Sequence, residues 1–396
     1  MSFGGPAAQI ALMHRMLVEE RKWLSEKDYL GALSFCMLLP GPEAMQLATW
    51  AGWRLHGTRG GLIAGALFVL PGALLVLALS MAYAAFGQVP LVAAAFLGVQ
   101  AAVIAIVIEA LIRVSRRALR GPAARIIAGL AFVALFALNL PFPLVVLGAG
   151  LWGFFASARS NAALPAVRAP RTGRTLMIWG AVWLIPLALL WVQGGLLAEI
   201  GWFFSKLAVV TFGGAYAVLA WMTQEVVQVR GWLSLDQMMA GLGLAETTPG
   251  PLILVTQFVG YMAGYAAGGV PLGLAAAVVT LWMTFVPCFL WIFVGAPYLE
   301  RITADPRLAG ALDAIMAAVV GVIGNLSLWF ALHLIFADVM PFSFGPVSLL
   351  LPDPTSLRLA ALALATGAGV LLLRFHRPLW QVLLLSAGAS MGLALI

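Results

Sequence analysis

Residues 271–294, PLGLAAAVVTLWMTFVPCFLWIFV, run for 24 positions without a charge. A helix needs about 20 mostly apolar residues to cross the hydrocarbon of a bilayer, and this run is long enough to do so. Five further stretches read the same way, at residues 60–86, 91–114, 177–192, 308–335 and 357–373. Shorter candidates are the pair 125–138 and 143–156 and the tail 378–395. With 63% hydrophobic residues, 9% charged residues and a mean hydropathy of +1.03, the chain lies far outside the soluble range. The expected fold class is an all-α polytopic membrane protein, and the lipid bilayer is its first partner.

Charge then orients the spans. Arg113, Arg116, Arg117, Arg120 and Arg125 crowd one short loop, and Arg159, Arg168, Arg171 and Arg174 another that holds no acid. Both are expected on the cytoplasmic side of the cell's inner membrane. The uncharged turn 139–143 and the late loop 338–356, which carries acids and no Lys or Arg, are expected outside. The net charge of +7 therefore reports orientation, and no nucleic-acid motif is present. Cys36 and Cys288 each stand alone in apolar sequence and can build neither a disulfide framework nor a thiolate metal site. The opening MSFGGPAAQIALMHR has no basic segment before an apolar run, so the first residues are expected in the mature protein.

The chain also repeats itself. Phe3-Gly4-Gly5 recurs as Phe212-Gly213-Gly214, Trp23-Leu24-Ser25 as Trp232-Leu233-Ser234, and Pro40-Gly41-Pro42 as Pro249-Gly250-Pro251. Every pair is 209 positions apart (212 − 3, 232 − 23, 249 − 40). Three motifs in one gapless register mark a duplication. The expected organisation is a first repeat at 1–157, a basic loop with a lone connecting span at 158–195, and a second repeat at 196–396. One connecting span inverts the second copy, giving inverted-topology pseudo-symmetry. On that reading Arg54 and Arg59 put the end of the first proline-rich segment inside, and Arg21, Lys22 and Lys27 fall outside, balanced by Glu19, Glu20 and Glu26.

Proline-glycine-proline inside apolar sequence needs a reason. In lipid a helix can break only where the exposed backbone lines a cavity or is buried in protein. Residues 28–39 reach only about 18 Å as a helix, too short for a core of about 30 Å, so they stop midway. Pro42 and Pro251 suit the first position of the next helix, whose free N–H groups then point into the membrane interior. The same logic applies at Gly4, Gly5 and Pro6 and at Gly213 and Gly214. Broken or re-entrant helices at matching places in two inverted halves mark the substrate site of a transporter. Two helix N-termini suit a dianion. The expected substrate-binding set is Gly4, Gly5, Pro6, Pro40, Gly41, Pro42, Gln46, Lys206, Thr211, Gly213, Gly214, Thr247, Thr248, Pro249, Gly250, Pro251 and Gln257, with amides and hydroxyls as added donors. Lys206 also has a duller reading, snorkelling to the interface. Glu43 and Glu246, beside the two breaks, are candidates for proton coupling, although Glu43 also suits the first turn of a helix on dipole grounds alone.

FGGPAAQIALMHR, EERKWLSEKDYLGAL and LLPGPEAMQLATWAGWRLHGTRGG, followed by FGGAYAVLAWM and ETTPGPLILVTQFVGY, resemble the chromate ion transporter family in its long, two-domain form. The resemblance covers nearly the whole chain. It implies two homologous halves of opposite orientation and chromate efflux with resistance, sulfate being the natural competitor as a tetrahedral dianion of similar size. In one respect the chain departs from a strict repeat: an apolar lead at 196–210 precedes the second Phe-Gly-Gly and has no counterpart before the first. An enzyme is not expected, because neither the lone cysteines nor the scattered His14, His56, His333 and His376 offer a catalytic pair or a metal cluster. No phosphate loop and no cofactor motif appear. Another small anion, organic acids included, is the alternative substrate on the same scaffold, and glycine-rich faces leave a homodimer open.

Overall fold

A computed structural model of the chain describes residues 5–157, 172–212, 215–248, 250–345 and 347–395. Among them the helices are α1 (Gly5–His14), α2 (Glu26–Leu38), α3 (Glu43–Phe86), α4 (Pro90–Ala118), α5 (Pro122–Phe136), α6 (Phe142–Ala156), α7 (Thr172–Gln193) and α8 (Gly195–Val210). They continue as α9 (Ala215–Thr223), α10 (Leu235–Thr247), α11 (Val255–Gly295), α12 (Leu299–Thr303), α13 (Pro306–Ile335), α14 (Leu359–Gly369) and α15 (Leu379–Ala394). Five helical stretches are long and apolar enough to cross a membrane: Glu43–Phe86, Pro90–Ala118, Thr172–Gln193, Leu252–Thr303 and Pro306–Ile335. The chain is a multi-pass membrane protein.

Two sequence expectations need correcting. The run 357–373 is not a full-length span: the helix covers only Leu359–Arg374, its last five residues in a π turn. Its start is tied down, because Leu357 bridges to Phe336 and the Arg358 N–H donates to the Ile335 carbonyl at 2.7 Å. The acidic segment before it is no plain loop either. It forms an antiparallel hairpin, β1 (Val339–Phe344) on β2 (Val347–Pro352), pairing Val339 with Pro352 through to Phe344 with Val347. Gly345 at φ +58° supplies the left-handed residue such a turn needs.

The sequence repeat reappears as backbone. A π turn follows α1 at Arg15–Glu20 and α9 at Gln224–Val229, again 209 residues apart (224 − 15, 229 − 20). Helices α2 and α10 share that offset at both ends (235 − 26, 247 − 38). The serine of each Trp-Leu-Ser caps the following helix: Ser25 Oγ accepts the Asp28 N–H at 3.1 Å and Ser234 Oγ the Gln237 N–H at 3.2 Å. In the second copy Gln237 Oε1 also accepts the Ser234 N–H at 2.9 Å, closing a capping box. Next, α3 reverses at His56 and Gly57 (φ +63°) and α11 at Gly268 and Gly269 (φ +69°), each a single long element folded into two. The folded arms touch with almost nothing between them, the Gly52 backbone meeting Gly60. A Cβ on Gly264 would lie 2.6 Å from the Leu272 oxygen.

The protein divides into two compact units, each drawing on both halves of the sequence. Unit 1 takes residues 1–84, 157–218 and 244–309, and unit 2 takes 85–156, 219–243 and 310–396. In unit 1, Tyr29, Phe35, Leu47, Trp50, Ile292 and Phe293 bury a core where α2 and α3 meet the second arm of α11. In unit 2, α4 packs on α14 and α15 through Ala102, Ala105, Ala368 and Val382, and Gly98 of α4 meets the Ser386 backbone. Also in unit 2, Gly153 of α6 meets the Gly310 backbone of α13. Small residues at such crossings let helices approach in a solvent that gives them no hydrophobic push.

Candidate substrate site at the helix breaks

Helix α2 ends at Leu38 and α3 begins at Glu43, so the first proline-glycine-proline is a four-residue break. Gly41 sits at φ +127°, a conformation a side chain rarely adopts. A Cβ there would come within 2.7 Å of Gln46 Nε2 and 2.8 Å of Cys288 Sγ. The second break matches it, with Gly250 at φ +146° and the space for a Cβ closed by Leu254 at 3.0 Å and the Gly72 Cα at 3.4 Å. Pro42, expected at the first position of the next helix, is instead the cap residue just before Glu43, its carbonyl accepting the Gln46 N–H at 3.0 Å. Pro251 does the same for Leu254 at 3.0 Å, opening the short 3-10 turn that leads into α11.

Within unit 1 each break is tied to the other copy. The Gly41 N–H, in the first copy, donates to the Thr211 carbonyl at 2.7 Å, just ahead of the second Phe-Gly-Gly. The Gly250 carbonyl, in the second copy, accepts from Gln9 Nε2 at 2.8 Å, four residues beyond Gly5 at the start of α1. Gln9 is 5% exposed. The sequence reading missed it, although a lone amide in AAQIALM was the available signal.

Of the expected site residues, Gly4, Gly213, Gly214 and Pro249 lie outside the described residues, and Gly5 and Pro6 open α1. Gln46 is fully buried, and its Nε2 donates to the Pro40 carbonyl at 2.7 Å. Gln257 is buried on the first arm of α11. Among the described residues, the side-chain oxygens of Gln9, Gln46 and Gln257 have no hydrogen-bond partner, nor does the Thr284 hydroxyl. The expected hydroxyl donors are already committed, Thr211 to the Leu207 carbonyl at 2.6 Å, Thr247 to Leu244 at 2.7 Å and Thr248 to Ala245 at 2.9 Å. A threonine at a helix end can turn its hydroxyl proton back onto its own helix in this way. Lys206 projects from α8 over the half-exposed Trp202, 5.7 Å from the ring centroid. That placement favours the interfacial reading over contact with the breaks. Glu43 occupies the first turn of α3, and Glu246 accepts a hydrogen bond from the Tyr216 hydroxyl. No group of three or more His, Cys, Asp or Glu residues able to hold a metal occurs among the described residues.

Broken helices tied together across a duplication, in a multi-pass membrane chain, are an arrangement that membrane transporters use. The chain belongs to the chromate transporter family, whose sequence profile it matches over residues 1–154 and 198–393. It is 35% identical over 341 residues to the chromate transport protein of Pseudomonas aeruginosa, covering 82% of this chain and 76% of that one. It is 29% identical to a probable chromate transport protein of Synechococcus elongatus over 92% of this chain and 91% of the relative. The chromate transport protein of Cupriavidus metallidurans is 30% identical over 82% and 77%. No solved structure matches the chain.

Proposed function

We propose that this protein is a secondary transporter that exports chromate across the cytoplasmic membrane, confers chromate resistance, and holds the oxyanion at the two proline-glycine-proline breaks. The observation that carries this reading is the reciprocal tie, Gly41 to Thr211 and Gln9 to Gly250, which draws both breaks into one unit. Chromate as the guest follows from the names of the relatives. Free N–H groups at the two helix starts supply the positive field. The orphaned glutamine oxygens suit a guest that keeps some of its water, since bridging waters bring the missing donors.

In this reading the halves have inverted topology and the first break is re-entrant. Along α2, Gly31 meets Leu299, Phe35 lies against Gly295, and Gly41 approaches Cys288, so α2 runs antiparallel to the second arm of α11. The reversal of α3 lies toward the same end of that arm, where Gly61 meets Phe293. Helix α2 then enters and the first arm of α3 leaves on one face, which places Arg21, Lys22 and Lys27 with Arg54 and Arg59. That assignment satisfies the positive-inside rule where the simple crossing did not.

Export of a dianion needs no fuel beyond the membrane potential, because one charge across 100 mV is worth about 2.3 kcal/mol and a dianion twice that. Glu43 and Glu246 are the proposed coupling acids should protons also take part. The experiment is counterflow in proteoliposomes holding the full chain, offered chromate, sulfate and a monocarboxylate. Saturable chromate exchange supports the proposal, sulfate alone would reassign the substrate, and exchange of the monocarboxylate in preference to both would refute the tetrahedral site.

A further inference from the structure

The β1–β2 hairpin of unit 2 carries its polarity the wrong way round for water. Residues 339–352 contain no charge. Directly opposed residues of an antiparallel pair share a face, and faces alternate along the strand. One face therefore holds Pro341 with Leu350 and Ser343 with Ser348. Pro341, Ser348 and Leu350 line a recess against α5 and α13, so this face turns toward the helices. The other face holds Met340 with Leu351, Phe342 with Leu349 and Phe344 with Val347. It is apolar at every position, yet Phe344 is 77% exposed, Met340 61% and Phe342 53%. A sheet with one face in water buries its apolar side and shows its polar one. Serines turned inward and an apolar face turned outward are the pattern of β-structure that meets lipid.

The helices beneath put that face at membrane depth. Helix α5 has 15 residues, about 22 Å, and falls about 8 Å short of a hydrocarbon core of about 30 Å. Its exposed Ile126, Leu130 and Val133 form one apolar row. Helix α13 runs alongside in the same direction, Gly321 meeting Ala128 and Ala131, and Gly324 meeting Phe132. Phe136, where α5 ends, thus comes level with Leu328, and α13 continues about 10 Å further to Ile335. The hairpin fills that step. Its base is held at the end of α13, where the Arg358 N–H donates to the Ile335 carbonyl at 2.7 Å. Near its turn the Ser348 N–H donates to the Ala137 carbonyl at 2.8 Å, one residue past α5. The hairpin therefore supplies apolar surface at the level α5 leaves open, continuing the band that its exposed row begins. The opposite end of α5 adjoins Arg116, Arg117 and Arg120, which makes the step the outer one.

Backbone chemistry bounds the depth. Among the described residues β1 pairs only with β2, so its far edge keeps backbone groups that hydrocarbon cannot satisfy. That edge has to reach headgroups or water. The acids stand at the base, where the Asp353 N–H donates to the Asp338 carbonyl at 2.9 Å. Charge at the base and phenylalanine toward the turn set the hairpin at the boundary, base to water and turn to the acyl chains.

We propose that the apolar face of the β1–β2 hairpin seats in the outer leaflet of the bilayer, with Phe342 and Phe344 among the upper acyl chains and the free edge of β1 in the headgroup layer. This needs only the multi-pass fold and its orientation, whichever ion is carried. The test uses the full-length protein, reconstituted at a low protein-to-lipid ratio, with an environment-sensitive fluorophore on one introduced cysteine. Cys36 and Cys288 are buried, so the label goes to the introduced thiol. The variants are Phe344→Cys, Phe342→Cys, Thr355→Cys at the exposed base of the hairpin, and Leu130→Cys in the apolar row of α5. Probes replacing Phe344 and Phe342 should emit to the blue of the probe replacing Thr355. They should also resist aqueous iodide and be quenched most by phospholipid that carries a nitroxide near its headgroup. The probe replacing Leu130 should be quenched most by a nitroxide deep in the chain, and the one replacing Thr355 by iodide alone. Iodide quenching of the two phenylalanine-site probes equal to that at Thr355 would put the face in water and overturn the proposal. Oxidative cross-linking of Phe344→Cys or Phe342→Cys into dimers at the same dilution would overturn it too, by giving the face to a second copy of the chain.

Discussion

Replacing Gly41 by alanine tests the geometry of the first break most directly. Two costs can be worked separately. Holding a residue with a side chain at φ +127° costs about 1 to 3 kcal/mol in backbone strain. The new methyl would also press on Gln46 Nε2 at 2.7 Å and Cys288 Sγ at 2.8 Å, an overpacking worth about 1 to 3 kcal/mol more. Gly57→Ala is the control, because its φ of +63° with ψ −159° is likewise a glycine region, while a Cβ there meets nothing within 4 Å, leaving only about 1 to 3 kcal/mol of backbone strain. At about 1.2 °C per kcal/mol for a chain of 396 residues, the overpacking alone should make Gly41→Ala melt about 1 to 4 °C below Gly57→Ala in detergent. It should also slow chromate counterflow far more. Adding Cys288→Ala removes one of the two clashes and should return part of the lost stability. If both alanine variants melt and transport alike, Gly41 is not in a packed break and the reasoning fails.

Other outcomes follow from the same structure. Gln9→Leu removes the donor to the buried Gly250 carbonyl, so it should cost about 1 to 3 kcal/mol in thermal unfolding and slow transport; an unchanged melting temperature would dismiss the tie. The bond to Glu26, ahead of the Glu19 interaction, raises the His14 pKa above its ordinary 6.5. Because the folded value is the higher one, its stabilisation is complete below pH 6.5 and fades as pH rises through the folded value. Melting scans should therefore show His14→Gln lowering stability at pH 5.5 and hardly at all at pH 9, and a loss equal at both would refute the assignment. Glu43→Gln should keep the response of vesicle uptake to voltage and lose any response to a pH gradient. Wild-type uptake that follows voltage but ignores the gradient removes Glu43 from coupling.

Much of this fold could be read from hydropathy and repetition, because both leave marks on single residues. The 209-residue offset read from three short motifs holds as well for the paired π turns and the paired Ser25 and Ser234 caps, which the sequence reading did not name. Span length was less legible. Residues 357–373 are apolar apart from Arg358 and Thr366, yet a hydrogen bond to Ile335 and a bridge to Phe336 claim their first residues for the base of the hairpin. Hydropathy cannot register that competition. The hairpin itself hid in a segment whose Pro341 and Pro352 read as loop. Donor chemistry was the least legible feature. Thr211, Thr247 and Thr248 looked like ready donors, and only their rotamers show the protons turned onto the helix behind. Gln9 went unread because its partner lies 241 residues away.

The reciprocal bonds also explain why the duplication had to keep both copies of its breaks. A glycine freed from its helix leaves backbone groups that lipid cannot satisfy, each unpaired group costing several kcal/mol at depth. Nearby side chains cover only some of them, as Gln46 does for the Pro40 carbonyl. The Gly41 N–H and the Gly250 carbonyl are paired instead by residues from the opposite copy, Thr211 and Gln9. A single copy would break its helix with no one to complete it and would have to bind a second copy to be stable in a bilayer. Fusing two copies makes that binding intramolecular, and it frees residues such as Thr223, Gln224 and Gln228 to diverge from His14, Arg15 and Glu19 without disturbing the matched breaks.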